Sequence, residues 1–173
     1  MGQSFATPIV GVGYVRVNAF YNAEMNCRIF SATALLTDEE RRAQRGAFWG
    51  SIHGTLCHLL WGDQLWMHRF DGWAKPSTNQ KDSSSLIEDF DELREARVKT
   101  DTGISEWAER VQDRWLQEDQ VWFSLSVGRD MRTPRGILVV HFFNHQTHHR
   151  GQAHAMITAA GQQTGDTDMF LIV

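Results

Sequence analysis

The chain has little of what stabilises a domain by means other than a packed core. Its two cysteines, Cys27 and Cys57, form neither a CxxC pair nor a zinc-finger spacing. That excludes a disulfide scaffold and suits a reducing cytoplasm. No apolar run approaches the ~20 residues that cross a bilayer. No signal peptide is visible either: Thr7 to Val17 is mildly apolar, but Pro8, Gly11 and Gly13 interrupt it and no basic start precedes it. A concentrated basic face is also missing. The formal charge is −4, and Arg41, Arg42 and Arg45 follow Asp38, Glu39 and Glu40 as one solvated polar segment. Phosphate backbones need a basic footprint, so neither a nucleic acid nor a membrane is expected as a partner.

What is present is the composition of a soluble globular protein, 42% hydrophobic and 22% charged with three prolines. At 173 residues, the length suits one domain spanning 1–173 with a single core. No internal repeat or low-complexity linker divides it. Apolar spacing predicts four long helices. The first runs from about Tyr14 to Leu36, with Val17, Phe20, Tyr21, Ile29 and Leu36 as its buried side. Thr37 and Glu40 form a capping box for a short helical turn. Ser51 caps a second helix that reaches about Phe70 and buries Ile52, Leu56, Leu59 and Trp66. Gly72, Pro76 and the polar run Ser77 to Ser85 read as a loop. A third helix spans about Leu86 to Val111, its start rich in acidic residues that suit the helix dipole. Between Gln120 and Thr133, "VWFSLSV" and the turn "GRD" predict a short hairpin. Thr133 as cap and Pro134 as first helical residue then open a fourth helix that Gly161 stops. The fold class is all-α, a four-helix bundle with a hairpin before the last helix.

The stretch "HFFNHQTHHRGQAH" holds five of the eight histidines. His145 and His149 stand four apart, one turn above the other on one helix face, as in helical HxxxH metal sites. Two such imidazoles need a third donor from another element, and bundle cores build metal sites from facing helices. In the second helix, His53 and His58 are about 140° apart and cannot share a face. His58 lies mid-helix among apolar residues. It reads either as a core histidine bonded to a carbonyl or to Asp63, or as a ligand joining His145 and His149. His68 reads as a surface or capping residue, and His141, His148 and His154 as surface or packing residues.

"GSIHGTLCHLLWGDQLW", followed about eighty residues later by "HFFNHQTHHRGQAHAM", resembles the DinB (DNA-damage-inducible) family, grouped with YfiT-type proteins. "FYNAEMNCRIF", "LTDEERR", "LIEDFDELREAR" and "TDMFLIV" extend the resemblance over nearly the whole chain. It implies a four-helix bundle, often dimeric, that holds a divalent metal by three histidines, carried here onto His58, His145 and His149. It also implies kinship with thiol transferases that use bacillithiol and with a mycothiol-dependent isomerase. The family name records induction by DNA damage and implies no DNA binding.

Three neutral imidazoles leave a zinc-like ion a position for water or substrate. Zinc and nickel both accept such donors. Gln146 follows His145 where a zinc protease carries a glutamate base, so peptide hydrolysis by that route is not expected. Asp63 is a candidate base, more readily a buried cap or surface carboxylate. Asn22 and Asn26 read as a helix–helix polar contact or as donors at the site. Arg150 with Gln152 reads as an ion pair or as an anion contact, and Gly151 as a close-packing position. Trp49, Trp61 and Trp73 are candidates for a dimer surface. The leading expectation is a metal-dependent enzyme of thiol-transferase or hydrolase type. It would act on a small molecule, have a low-molecular-weight thiol as possible co-substrate, and work as a homodimer. The rivals are a non-catalytic metal-binding or stress-response protein, and a plain bundle with incidental histidines.

Overall fold

In the computed structural model, which describes residues 8–124 and 127–173, the four expected long helices are α1 (Val12–Ala34), α3 (Ile52–Asp71), α4 (Phe90–Arg110) and α6 (Arg135–Ala159). Shorter elements lie between them: α2 (Asp38–Arg42), a 3-10 helix Gln80–Ser85, α5 (Asp113–Gln117), and a hairpin of β1 (Asp119–Ser124) and β2 (Arg129–Pro134). The hairpin is antiparallel, with Asp119 opposite Pro134 and Ser124 opposite Arg129. Leu125 and Ser126 lie outside the described residues; of the expected turn "GRD", Gly128 takes φ +72°, whereas Arg129 and Asp130 already pair with Ser124 and Phe123 in the hairpin. No described helix is long and apolar enough to cross a membrane.

Local chemistry sets the helix starts. Ser51 accepts from the Gly54 N–H, and the Thr37–Glu40 capping box forms in both directions. α4 begins at Phe90, later than the apolar spacing predicts. The Ile87 carbonyl is taken by the side chains of His53 and Cys57, and Asp89, extended, caps the N–H groups of Asp91 and Glu92. α6 likewise starts one residue late, because Thr133 and Pro134 still pair with Gln120 and Asp119 in the hairpin. Gly11 supplies no cap to α1; Asp113 of α5 does, accepting from the Val12 N–H at 2.9 Å.

α1 packs on α4 and α6, and α3 packs on the same two, so α1 and α3 occupy opposite corners of the bundle. Two apolar clusters give the directions. One joins Val15 and Ala19 of α1 to Trp66 and Phe70 of α3, Ile104 and Trp107 of α4, and Val139 and Phe142 of α6. The other joins Ile29 and Phe30 of α1 to Ile52 and Leu56 of α3, Phe90 and Leu93 of α4, and Ala153 and Ile157 of α6. α1 and α6 therefore run one way, and α3 and α4 the other. Because α3 and α4 are parallel, the segment between them must travel back along α3, and its 3-10 helix packs there.

Between the clusters lies a polar belt. Arg97 bridges Asp63 at 2.6 Å and Asp101 at 2.7 Å. Asn26 donates to Asp101 and Gln146 to Asp63, each at 2.9 Å. The chain Asn26–Asp101–Arg97–Asp63–Gln146 thus ties one residue or more from each long helix. The belt corrects the expected face of α1: Phe20 is 56% and Val17 40% exposed, while Asn22 and Asn26 are 1%. An apolar search misses a face whose middle is polar: Asn26 bonds Asp101, while the buried Asn22 amide has no partner among the described residues.

Burial pushes the Asp101 carboxyl up to about 6 against the pull of Arg97, with Asp63 adding to the rise. Burial raises Asp63 as well. Two carboxylates share one guanidinium. Removing that cation leaves both uncompensated, so Arg97→Met is expected to cost about 3–5 kcal/mol in urea unfolding; a loss under ~1 kcal/mol contradicts the belt's role. Asp101 contributes most below its unfolded pKa of about 3.9, and that contribution is lost as pH rises through about 6. Relative to Asp101→Asn, the parent chain should lose stability between pH 4 and 7; a constant difference contradicts the raised pKa.

Candidate metal centre

α3 and α6 lie side by side and antiparallel. α3 presents His58 and, one turn on, Gly62; α6 presents His145 and, one turn on, His149. The His145 ring occupies the space over Gly62, where a Cβ would meet Cε1 at 2.7 Å and Nδ1 at 3.2 Å. His58 and His145 bring their Nε2 atoms to 3.2 Å. One ring nitrogen from each of His58, His145 and His149 lies within 4.8 Å of the others. The three histidines selected by spacing and resemblance are thus brought together.

Two of the rings have assigned tautomers. The Ser83 hydroxyl donates to the Gln80 carbonyl at 2.7 Å, so at 2.8 Å it accepts from His58 Nδ1–H. The Gln152 amide oxygen accepts from His149 Nδ1–H at 2.8 Å. Both rings therefore carry their free lone pair on Nε2. This is the arrangement by which an outer partner orients a ligating imidazole. Burial holds His58 and His145 far below the usual imidazole range, each down to about 3, and neighbouring histidines push the same way. His149 is lowered as well, chiefly by burial. All three are neutral at pH 7.

These donors fit a divalent ion. Two imidazole nitrogens on one tetrahedral zinc stand about 3.3 Å apart, given Zn–N near 2.0–2.1 Å, close to the 3.2 Å between His58 and His145. His145 Nδ1 is buried without a hydrogen-bond partner among the described residues, which leaves Nε2 as the atom through which this ring meets its neighbours.

The other histidines lie outside this set, although His141 and His148 border it, with ring centroids 6.0 Å from His145 and 4.8 Å from His149. His53 bonds the Ile87 carbonyl and His68 the carbonyl of Trp73. His141 packs beside Trp66, His148 is exposed, and His154 meets Thr164. Asp63 is not placed to act as a base: it is fully buried, with its oxygens held by Arg97 and Gln146. Gln146 itself points into the belt. Asn26 makes the expected interhelical contact. Gln152 orients His149, whereas Arg150, 6% exposed, makes no ion pair among the described residues. Gly151 is not a close-packing glycine, since a Cβ there would meet nothing within 4 Å. Trp61 is buried and donates to the Thr78 carbonyl, Trp73 is half-buried and donates to Asp71, and Trp49, also half-buried, stacks on His58.

Sequence reading therefore missed Gly62, Ser83 and Trp49. Gly62 stands at i+4 from His58, a spacing that could have marked it as the clearance for a facing ring. Ser83 sits in a polar run with no local signal. Gly62→Ala should push the His145 ring aside. An ion held jointly by the three rings should then bind at least about tenfold more weakly in chelator competition; equal affinity would contradict the packing argument.

Residues 15–172 match the sequence model of the DinB family. Protein DinB of Bacillus subtilis (strain 168) is 27% identical over 156 residues, covering 86% of this chain and 87% of its own. A crystal structure of a DinB-like protein from Bacillus cereus ATCC 10987 has a TM-score of 0.61 at 20% identity, covering 85% of this chain and 90% of that one. That likeness speaks for the fold. Since the family match runs over nearly all of the described residues, the protein belongs to the DinB family.

Proposed function

We propose that the protein is a metal-dependent enzyme in which His58, His145 and His149 hold one divalent ion, zinc or nickel. The observation that carries this reading is the donor set. Three neutral imidazoles converge, and no fourth His, Cys, Asp or Glu among the described residues joins them. Closed structural zinc sites use four protein ligands, while catalytic sites use three and leave a position for an exogenous group. His141 and His148, the two that could close the site, border it, with ring centroids 6.0 Å from His145 and 4.8 Å from His149, but neither belongs to the set of ring nitrogens lying within 4.8 Å of one another. This favours an enzyme over a metal-storing or stress-response protein.

A bound divalent ion supplies a nucleophile at neutral pH by acidifying water or a thiol. The chain's own residues do the rest. Ser83 and Gln152 hold Nδ1 protons so that His58 and His149 offer Nε2. Trp49 covers one face of His58. Among the described residues, no carboxylate hydrogen-bonds to the three rings or joins their donor set as a base. That favours chemistry in which the nucleophile arrives already acidified, such as transfer to or from a low-molecular-weight thiol, with hydrolysis of a small molecule as the neighbouring possibility. A homodimer is part of this reading on the family resemblance alone.

Purified protein is expected to retain about one divalent ion per chain by elemental analysis, with His145→Ala or His149→Ala losing it. A metal-free native protein, unchanged by those substitutions, would overturn the reading. In the cobalt-substituted chain a thiol co-substrate should produce a sulfur-to-cobalt charge-transfer band. No band with any low-molecular-weight thiol would turn the reading towards hydrolysis.

A further inference from the structure

The loop between α2 and α3 places one tryptophan against His58 and beside His149, and its placement is over-determined. The Trp49 ring lies on His58 with centroids 3.8 Å and planes 20° apart, and its centroid is 6.5 Å from that of His149. Phe48 closes on it edge to face at 4.9 Å. Gly50 follows at φ +79°, where a side chain would be strained and a Cβ would meet Gln44 at 2.7 Å. Gly54, in the first turn of α3, leaves the space in which the Trp49 carbonyl sits: a Cβ there would meet that oxygen at 2.5 Å. The Ser51 N–H donates to the same carbonyl at 2.9 Å.

One atom of this residue serves no contact among the described residues. The Trp49 indole Nε1–H is buried and has no acceptor among the described residues. Trp61, which also stacks near His58 at 5.6 Å, donates its indole N–H to the Thr78 carbonyl, and Trp73 donates to Asp71. Buried indole donors ordinarily find a partner, and leaving one unpaired is costly. Here the cost falls on a ring whose backbone is seated by two glycines and whose face is fixed on a proposed metal ligand.

We propose that Trp49 Nε1–H is the hydrogen-bond donor for the exogenous ligand of the three-histidine centre. Trp49 would then select ligands whose acceptor is the atom on the ion or lies next to it: anions such as a thiolate or a carboxylate, rather than neutral apolar molecules. This rests on the metal-site reading and adds a residue that touches the substrate. A donor that meets its acceptor only when ligand is present keeps its polarity for the bound state, where a charge-assisted hydrogen bond is strongest.

The test uses the full chain loaded with Co²⁺ and azide as the probe anion, followed in the visible spectrum. Trp49→Phe keeps an aromatic ring on His58 and removes the N–H. The expected result is unchanged Co²⁺ stoichiometry and metal affinity within about threefold of the parent, with azide bound about tenfold more weakly. Azide affinity within about twofold of the parent overturns the proposal while the metal site stands. Failure of the parent chain to take up Co²⁺ overturns the metal-site reading and this proposal with it. A second measurement needs no variant. In the Zn²⁺-loaded chain labelled with ¹⁵N-tryptophan, azide should move one of the seven indole N–H resonances downfield. No downfield shift overturns the proposal even if Trp49→Phe does not fold.

Discussion

The bundle depends on one buried guanidinium that two carboxylates share. Arg97 is 2% exposed and answers two carboxylates, Asp63 from α3 and Asp101 from its own helix. Charges so deep are costly to desolvate, and a good part of that cost is recovered only when every oxygen and N–H finds its geometry. That demand restricts how the helices can slide. A one-turn slip of α6 would take Gln146 from Asp63, and a slip of α1 would take Asn26 from Asp101. The apolar clusters on either side supply most of the stabilisation, at about 1.5–3 kcal/mol per fully buried large side chain, but apolar contacts tolerate sliding in a way that the belt does not.

The three-histidine site inherits its precision from this belt. Gln146, adjacent to His145, bonds Asp63, adjacent to Gly62, so the bond that sets the α3–α6 register also seats the His145 ring over the glycine. The parallel course of α3 and α4 contributes the second element. A connection that must retrace α3 carries Ser83 to His58 Nδ1, and Trp61 of α3 holds the segment by the Thr78 carbonyl. A bundle with α4 antiparallel to α3 would need only a short loop there and would lack this partner. Topology and ligand orientation are two results of one helix arrangement.

Much of this was legible in the sequence, and the exceptions have physical causes. The long helices, the Thr37 and Ser51 caps, the hairpin and the trio His58, His145 and His149 follow from spacing, cap chemistry and family resemblance. The buried face of α1 did not, because its centre is Asn22 and Asn26 and hydropathy points towards Phe20 instead. The start of α4 did not, because the Ile87 carbonyl is claimed by side chains distant in sequence. Trp61 looks like a surface aromatic until the return loop, which it holds by the Thr78 carbonyl, is in place. Ser83 and Gln152 are ordinary polar residues whose roles exist only through contacts with the rings they orient.

We propose a single divalent-metal centre with an open position, formed by three neutral imidazoles oriented through Ser83, Gln152 and Gly62. Anomalous diffraction from crystals of the protein purified without chelator tests it most directly. The account predicts one anomalous peak per chain, about 2.0–2.2 Å from the Nε2 atoms of His58, His145 and His149, with density for a non-protein ligand completing the shell. No peak at the three rings from metal-replete protein, or a peak whose ligands include a fourth side chain of the protein, would contradict it.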